Sequence, residues 1–150
     1  KGRTKKKRIA VEPIPNITDN PEAVAFLTEK QPYPVSLLSP HLVTIFDRFT
    51  LVNYDKTERL TIDCNLHFEN LRNGKTASVA PLAVMELKQD GRAKSLLKDV
   101  LFELRIRPYK ISKYCIGTCM TCPDVKQNRF KKKLRRIERL KQQTNNISTI

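Results

Sequence analysis

The stretch RLTIDCNLHF, residues 59–68, decides the predicted fold, because apolar and polar residues alternate along it almost perfectly. The residues on one side are apolar or carry a thiol: Leu60, Ile62, Cys64, Leu66 and Phe68. The residues on the other side are polar: Arg59, Thr61, Asp63, Asn65 and His67. Successive side chains of a strand point to opposite faces of a sheet. The pattern therefore predicts a strand with one apolar and one charged face.

Two neighbouring segments also have the composition of strands. HLVTIFDRFTLV, residues 41–52, is rich in β-branched and aromatic residues. VAPLAVMELKQ, residues 79–89, places Glu86 and Lys88 on one face. We therefore expect three strands over residues 41–89.

Helical patterns lie on both sides of these strands. Pro21 favours the start of a helix, and Pro108 favours the end of another. The predicted helices span 18–30, 92–107 and 123–143, and a turn carrying Lys113 precedes the last of them. Strands and helices together predict an α+β fold.

The charge balance restricts the partners of the chain. Its 150 residues include 29 Lys and Arg against 15 Asp and Glu, a formal net charge of +14. This excess favours nucleic acid, an anionic membrane surface or a phosphate-rich small molecule as partner. No apolar run approaches the roughly 20 residues of a membrane span. Four cysteines without a secretory signal indicate a reducing compartment, so we expect a cytoplasmic location.

The charged strand faces allow two interpretations. In a simple two-layer protein, Arg48, Arg59 and Lys88 face water together with Asp63 and Glu86. In a closed antiparallel barrel with a polar interior, the same residues converge. Convergent Arg and Lys suit a phosphate chain, and a carboxylate among them suits Mg²⁺ or Mn²⁺. Composition leaves both interpretations open.

Four segments, in this order and spacing, resemble the later half of the VTC domain: RLTIDCNLHF, VMELKQ, YKISKYCIG and VKQNRFKKKLRRIER. That domain is the polyphosphate polymerase module of the vacuolar transporter chaperone complex. It belongs to the triphosphate tunnel metalloenzymes, which are related to the CYTH group. The resemblance implies an antiparallel β tunnel barrel with flanking helices that binds triphosphate or polyphosphate and a divalent metal.

The resemblance also implies roles for individual residues. The implied phosphate-binding residues are all basic: Lys6, Arg8, Arg48, Arg59, Lys88 and Lys113. Among them, Arg48, Arg59 and Lys113 resemble catalytic tunnel residues. Glu86 resembles the metal-binding glutamate and would hold Mn²⁺ or Mg²⁺. Residues 1–12, with Lys6 and Arg8, resemble the end of a tunnel strand, although composition alone equally fits a basic arm.

The implied function is transfer of the γ-phosphoryl group of ATP, or of another triphosphate, to a growing polyphosphate chain. Two alternatives remain within the same chemistry: a triphosphate hydrolase, and a non-catalytic module that binds polyphosphate or inositol pyrophosphate. Whether the chain is an enzyme is left open. A nucleic-acid binder using the basic helix 124–141 is disfavoured, because Phe130 is the one aromatic residue among those charges.

The family's earlier half supplies further tunnel strands, which would precede Lys1. We therefore expect the chain to form the C-terminal part of a tunnel domain, residues 1–150. Either an upstream half or a second copy of the chain would then complete the barrel, because an incomplete barrel exposes strand edges.

The cysteine-rich stretch ISKYCIGTCMTC, residues 111–122, also has two interpretations. Cys115, Cys119 and Cys122 have a spacing that suits zinc, with Cys64 or a histidine as fourth ligand. The favoured interpretation is a turn in which the thiols are incidental and Lys113 is the functional residue.

Overall fold

The computed structural model describes residues 6–12, 17–91 and 94–147, with side chains of the last helix described up to Thr144. The chain divides into two units, Lys1–His41 and Leu42–Ile150. In the first unit, helix α1 spans Pro21–Lys30 and begins where Asn20 accepts a hydrogen bond from the backbone N–H of Ala23 at 3.0 Å. Short 3-10 turns lie at Ile17–Asp19 and Val35–Leu37.

The basic segment at the beginning of the chain differs from its prediction. Residues 6–12 have no regular secondary structure, so the strand predicted over 1–12 is wrong in its described part, and residues 1–5 lie outside the described range. Lys6 and Arg8 are exposed. Closely spaced like charges, which repel one another, favour the basic-arm interpretation here.

A four-stranded antiparallel sheet forms the second unit. The strands are β1 (Leu42–Val52), β2 (Glu58–Asn70), β3 (Thr76–Ser78) and β4 (Val84–Gln89). β2 is central, with β1 along one side and both short strands along the other. The α+β class and the antiparallel sheet are thus confirmed. The four described strands form an open sheet and do not close into a tunnel.

A β-bulge at Asn65 changes which side chains of β2 share a face. His67 lies opposite Ile45, but Cys64 lies opposite Asp47, so β2 contains one residue more than β1 between these pairs. Asn65 takes up the extra residue with a φ of 51°, in the left-handed region that Asn tolerates better than most residues.

The bulge corrects the predicted alternation of β2. Thr44 lies opposite Phe68 and Arg48 lies opposite Asp63. Thr44 and Arg48 are four residues apart on β1, so they share a face, and Phe68 therefore shares the face of Asp63. We call this the core face of the sheet.

Three helices follow the sheet. They are α2 (Leu96–Glu103), α3 (Lys113–Thr121) and α4 (Lys131–Ile147). The predicted turn that carries Lys113 is a helix from Lys113 to Thr121, and Ser112 caps it by accepting a hydrogen bond from the N–H of Cys115 at 3.3 Å. Turns occupy residues 123–130, so α4 begins later than the predicted Pro123. In this turn segment, the Gln127 side chain donates to the carbonyl of Cys119 at 2.9 Å and holds it against α3.

The core lies between the core face and the last two helices. Its buried residues are Leu66, Phe68, Val79, Ile116 and Ile137. A Cβ on Gly117 would stand 2.7 Å from Leu42 Cδ2 and from Phe68 Cγ, so glycine allows α3 to lie directly on the sheet. This contact places the first turn of α3 beside the charged end of the core face.

No helix in the described ranges combines the length and the apolar character that crossing a bilayer requires.

Candidate phosphate-binding face

Strand pairing places the predicted site residues of the sheet on its core face, next to the apolar core. Arg59 on β2 lies opposite Lys88 on β4, and Asp63 lies opposite Arg48 on β1. Thr61, between these two positions, lies opposite Glu86. Directly opposed residues of neighbouring strands point to the same face. We call this region the charged face: Arg48, Arg59, Asp63, Glu86, Lys88 and Lys113.

Asp63 is the centre of the charged face. Arg48 holds it at two points, with Nε donating to Oδ1 at 2.6 Å and Nη2 donating to Oδ2 at 2.8 Å. Lys113 Nζ donates to Oδ2 as well. The Asp63 side chain is 3% exposed, whereas that of Arg48 is 43% exposed. One buried carboxylate therefore fixes two cations whose outer surfaces still reach solvent.

The ring of Phe46 supports the same two cations. Lys113 Nζ lies 3.8 Å from the ring centroid, and Arg48 Cζ lies 5.0 Å from it. The negative face of an aromatic ring attracts cations. Phe46 also packs against the core, so it links the apolar and charged ends of the core face.

The contacts between Asp63 and Arg48 favour the ionised form of both side chains. The hydrogen bonds from Arg48 lower the pKa of Asp63, Lys113 lowers it further, and burial acts in the opposite direction. The hydrogen bond to Asp63 raises the pKa of Arg48, with smaller contributions from the charges of Asp63 and Glu86. Both groups are therefore ionised at neutral pH.

Lys113 reaches Asp63 because it is the first residue of α3. The unpaired N–H groups of a first turn carry partial positive charge, which disfavours a lysine at this position. The carboxylate of Asp63 offsets this repulsion. The first turn and the lysine together make this corner of the charged face electropositive.

Glu86 and Lys88 occupy the exposed side of the charged face on β4. Lys88 Nζ lies 3.3 Å from Glu86 Oε1, and their side chains are 52% and 58% exposed. Among the described residues, no three His, Cys, Asp or Glu side chains come together as a metal site. Mg²⁺ and Mn²⁺ are commonly held by one or two carboxylates plus substrate phosphates. Glu86 is the exposed carboxylate of the charged face, and it would share such a metal with substrate phosphates.

A comparison with models of protein families identifies the family of the chain. The family model described as VTC domain matches residues 17–122 of the chain. The chain belongs to the VTC domain family. No curated protein matches the chain, and no solved structure does. Membership is consistent with a polyphosphate-related function.

The match to the VTC domain separates the predicted site residues into two groups. Five of them lie inside residues 17–122, and the structure brings these together on the charged face: Arg48, Arg59, Glu86, Lys88 and Lys113. Lys6 and Arg8 lie outside the match, in the other unit of the chain.

Sequence reasoning missed how two residues of this VTC domain act. Asp63 was placed correctly on the face of Arg59, but its pairing with Arg48 and Lys113 depends on strand register and on α3. The available signal for this ion pair was an aspartate on one predicted strand and an arginine on the neighbouring strand. Phe46 gave no signal, because aromatic residues are common in strands.

The cysteines of this VTC domain are free thiols: Cys64, Cys115, Cys119 and Cys122. Cys119 is buried, and burial raises its pKa, which disfavours the thiolate that zinc requires. The described residues contain no zinc-type group at this position.

Proposed function

We propose that the charged face binds the phosphate chains of ATP and polyphosphate, and that this VTC domain transfers the γ-phosphoryl group of ATP to a growing polyphosphate chain. One observation carries the proposal: four cations lie on one side of the sheet, where Arg48 and Lys113 hold a buried carboxylate and Arg59 lies opposite Lys88. Four cations against Asp63 and Glu86 leave an excess of two positive charges, which suits a phosphate chain.

The cations differ in how firmly they are held. Asp63 orients Arg48 and Lys113, so these two groups meet the transferring phosphate from fixed directions. Arg59 is exposed, and no salt bridge among the described residues involves it, so its planar fork is available for two-point phosphate contacts. We assign alignment to the first pair and capture of the phosphate chain to Arg59 and Lys88.

The proposed reaction needs no nucleophilic side chain. The terminal phosphate oxygen of the polyphosphate acceptor forms the new bond to the γ-phosphorus while the bond to the β–γ bridging oxygen breaks, and ADP leaves. Arg48, Arg59 and Lys113 stabilise the charge that spreads over the transferring group. Glu86 would hold Mg²⁺ or Mn²⁺ together with phosphate oxygens, and the metal would neutralise further phosphate charge.

We also propose that further strands close the sheet into a tunnel around the charged face. No described strand pairs with the outer edges of β1 and β4. Strands from another segment, or from a second copy of the chain, would satisfy these edges and enclose the charged face. Enclosure would exclude water from the transferring group and so favour transfer over hydrolysis.

Binding and turnover are tested separately. Arg59→Gln and Lys88→Gln each remove one charge of the face, and we expect each to weaken tripolyphosphate binding several-fold in calorimetric titrations. Lys75→Gln is the matched control, because Lys75 is exposed in the loop before β3. If Arg59→Gln and Lys88→Gln bind as tightly as the control, the charged face is not the binding site.

Turnover is measured by incubating the chain with ATP and Mn²⁺ and staining the products for polyphosphate on a gel. We expect Glu86→Gln to retain tripolyphosphate binding and to lose polymer formation. Polymer formation that survives this substitution contradicts the metal assignment.

A second candidate is a polyphosphate-binding module without catalysis. The contact of Lys88 with Glu86 favours it, because the pairing already neutralises the carboxylate proposed as metal ligand. Tripolyphosphate binding without any polymer or free phosphate from ATP would identify this function.

A further inference from the structure

Helix α4 presents a row of basic residues that the charged face does not use. Lys132 lies three and four residues before Arg135 and Arg136, and Arg139 lies four and three residues after them, so the four share one side of the helix. All four are exposed, and together with Leu140 and Gln143 they line a surface groove. We call these four residues the α4 stripe. It lies outside residues 17–122, which match the VTC family.

Packing fixes the direction of the stripe. On the opposite side of α4, Ile137 is buried in the core and Leu134 packs against that core, as does Phe130 just before the helix. Lys141 Nζ donates to the carbonyl of Ser78 at 3.1 Å and attaches the middle of the helix to β3. The helix therefore cannot rotate to bury the stripe without giving up its core contacts.

The charge of the stripe is not neutralised by the rest of the described chain. None of the salt bridges among the described residues involves a stripe residue. Arg136 lies 4.5 Å from the ring centroid of Tyr109, which orients its guanidinium without cancelling its charge. Four like charges on two turns of helix repel one another and favour an anionic ligand.

We propose that the α4 stripe is a second binding site, and that its ligand is a linear inorganic polyphosphate chain. This inference rests on the proposed function for the chemical identity of the ligand. A row of exposed cations without a deep pocket contacts several consecutive phosphates of a long chain at once. A short phosphate chain gains little affinity from such a row, since it makes few contacts and each exposed contact is weak.

The surroundings of the stripe disfavour the other common polyanions. Single-stranded nucleic acid gains affinity by stacking bases on aromatic rings, but Tyr109 is stacked with Arg136, and Phe130 is packed at the core. A helix on an anionic membrane buries its apolar side in the lipid, but the apolar side of α4 faces the protein core.

The test compares short and long phosphate chains on two variants of the whole chain. Arg135→Gln with Arg139→Gln removes two stripe charges, and Lys75→Gln with Lys126→Gln removes two exposed charges elsewhere. We expect the stripe variant to lose about tenfold in affinity for long-chain polyphosphate at low salt and to keep its tripolyphosphate affinity. The control should keep both affinities. Melting temperatures check that both variants are folded.

The outcomes separate this inference from the proposed function. If the stripe variant binds long-chain polyphosphate as tightly as the control, the second site is refuted, whatever Arg59→Gln does to tripolyphosphate binding. Tighter binding of single-stranded RNA or of phosphatidylserine vesicles than of polyphosphate at equal charge and salt, lost in the stripe variant, would also overturn the inference.

Discussion

Arg48 and Asp63 lie directly opposite each other on β1 and β2 and are joined by two hydrogen bonds of 2.6 and 2.8 Å. The carboxylate is buried and also accepts from Lys113, so one residue ties the sheet to the first turn of α3. This pair both stabilises the fold and orients cations of the charged face. The two roles respond differently to substitution.

Asp63→Asn should destabilise the chain, because an amide has one acceptor oxygen and no charge with which to hold Arg48 and Lys113. We expect a loss of about 1.5–3 kcal/mol in the free energy of unfolding, the usual contribution of hydrogen bonds to charged groups. Urea denaturation measures it. Asp55→Asn, at an exposed turn position, is the control and should change stability by less than about 0.5 kcal/mol.

Phosphate binding distinguishes a structural role of Asp63 from a binding role. Asp63→Asn frees two cations, so the folded variant should bind tripolyphosphate at least as tightly as the unmodified chain. Weaker binding by a variant that is still folded would mean that the orientation of Arg48 and Lys113 matters more than their net charge.

Stability should also fall in acid through the same group. The pKa of Asp63 is lower in the folded chain than its unfolded value, so the folded state favours the ionised carboxylate. Its contribution is fully present above about pH 4 and is lost as the pH falls through the lowered folded pKa. Urea midpoints between pH 7 and pH 3 should therefore decrease less in Asp63→Asn than in the unmodified chain. Parallel decreases would contradict the assignment.

Asn65 tests the origin of the bulge. Its φ of 51° costs most L-residues about 1–2 kcal/mol, and its side chain also donates to Asp47 Oδ2 at 2.7 Å. Asn65→Ala should therefore destabilise the chain by about 1–2 kcal/mol. Asn65→Gly should cost less, because glycine adopts this conformation freely. Equal losses in chemical denaturation would show that the side-chain hydrogen bond, not the backbone conformation, is decisive.

Gly117→Ala tests the contact between α3 and the sheet. The added methyl group would stand 2.7 Å from Leu42 Cδ2, so α3 must move away from the core face. We expect a loss of about 1–3 kcal/mol in stability, typical of overpacking. Tyr114→Ala on the exposed side of α3 is the control. A variant as stable as the control would show that α3 does not pack on the sheet as described.

The alternation of apolar and polar residues alone predicted the main strands and the faces of several of their residues. The alternation in RLTIDCNLHF placed Arg59 and Asp63 on one face of their strand, and that in VMELKQ placed Glu86 and Lys88 on one face of theirs. Strand pairing joins these two faces. This worked because alternation is a local property of the chain. The same rule failed for Leu66 and Phe68, which follow the bulge at Asn65.

The sequence by itself therefore determined the α+β class, the main strands, the basic character of one sheet face and membership of the VTC family. Only the tertiary structure decided that α3 is a helix and that Lys113 meets Arg48 at Asp63. The reason is physical. Periodicity reports local backbone geometry. Distant partners decide the other features: the bulge depends on the neighbouring strand, the position of α3 on the close approach of Gly117 to the sheet, and the salt bridge on residues 50 positions apart.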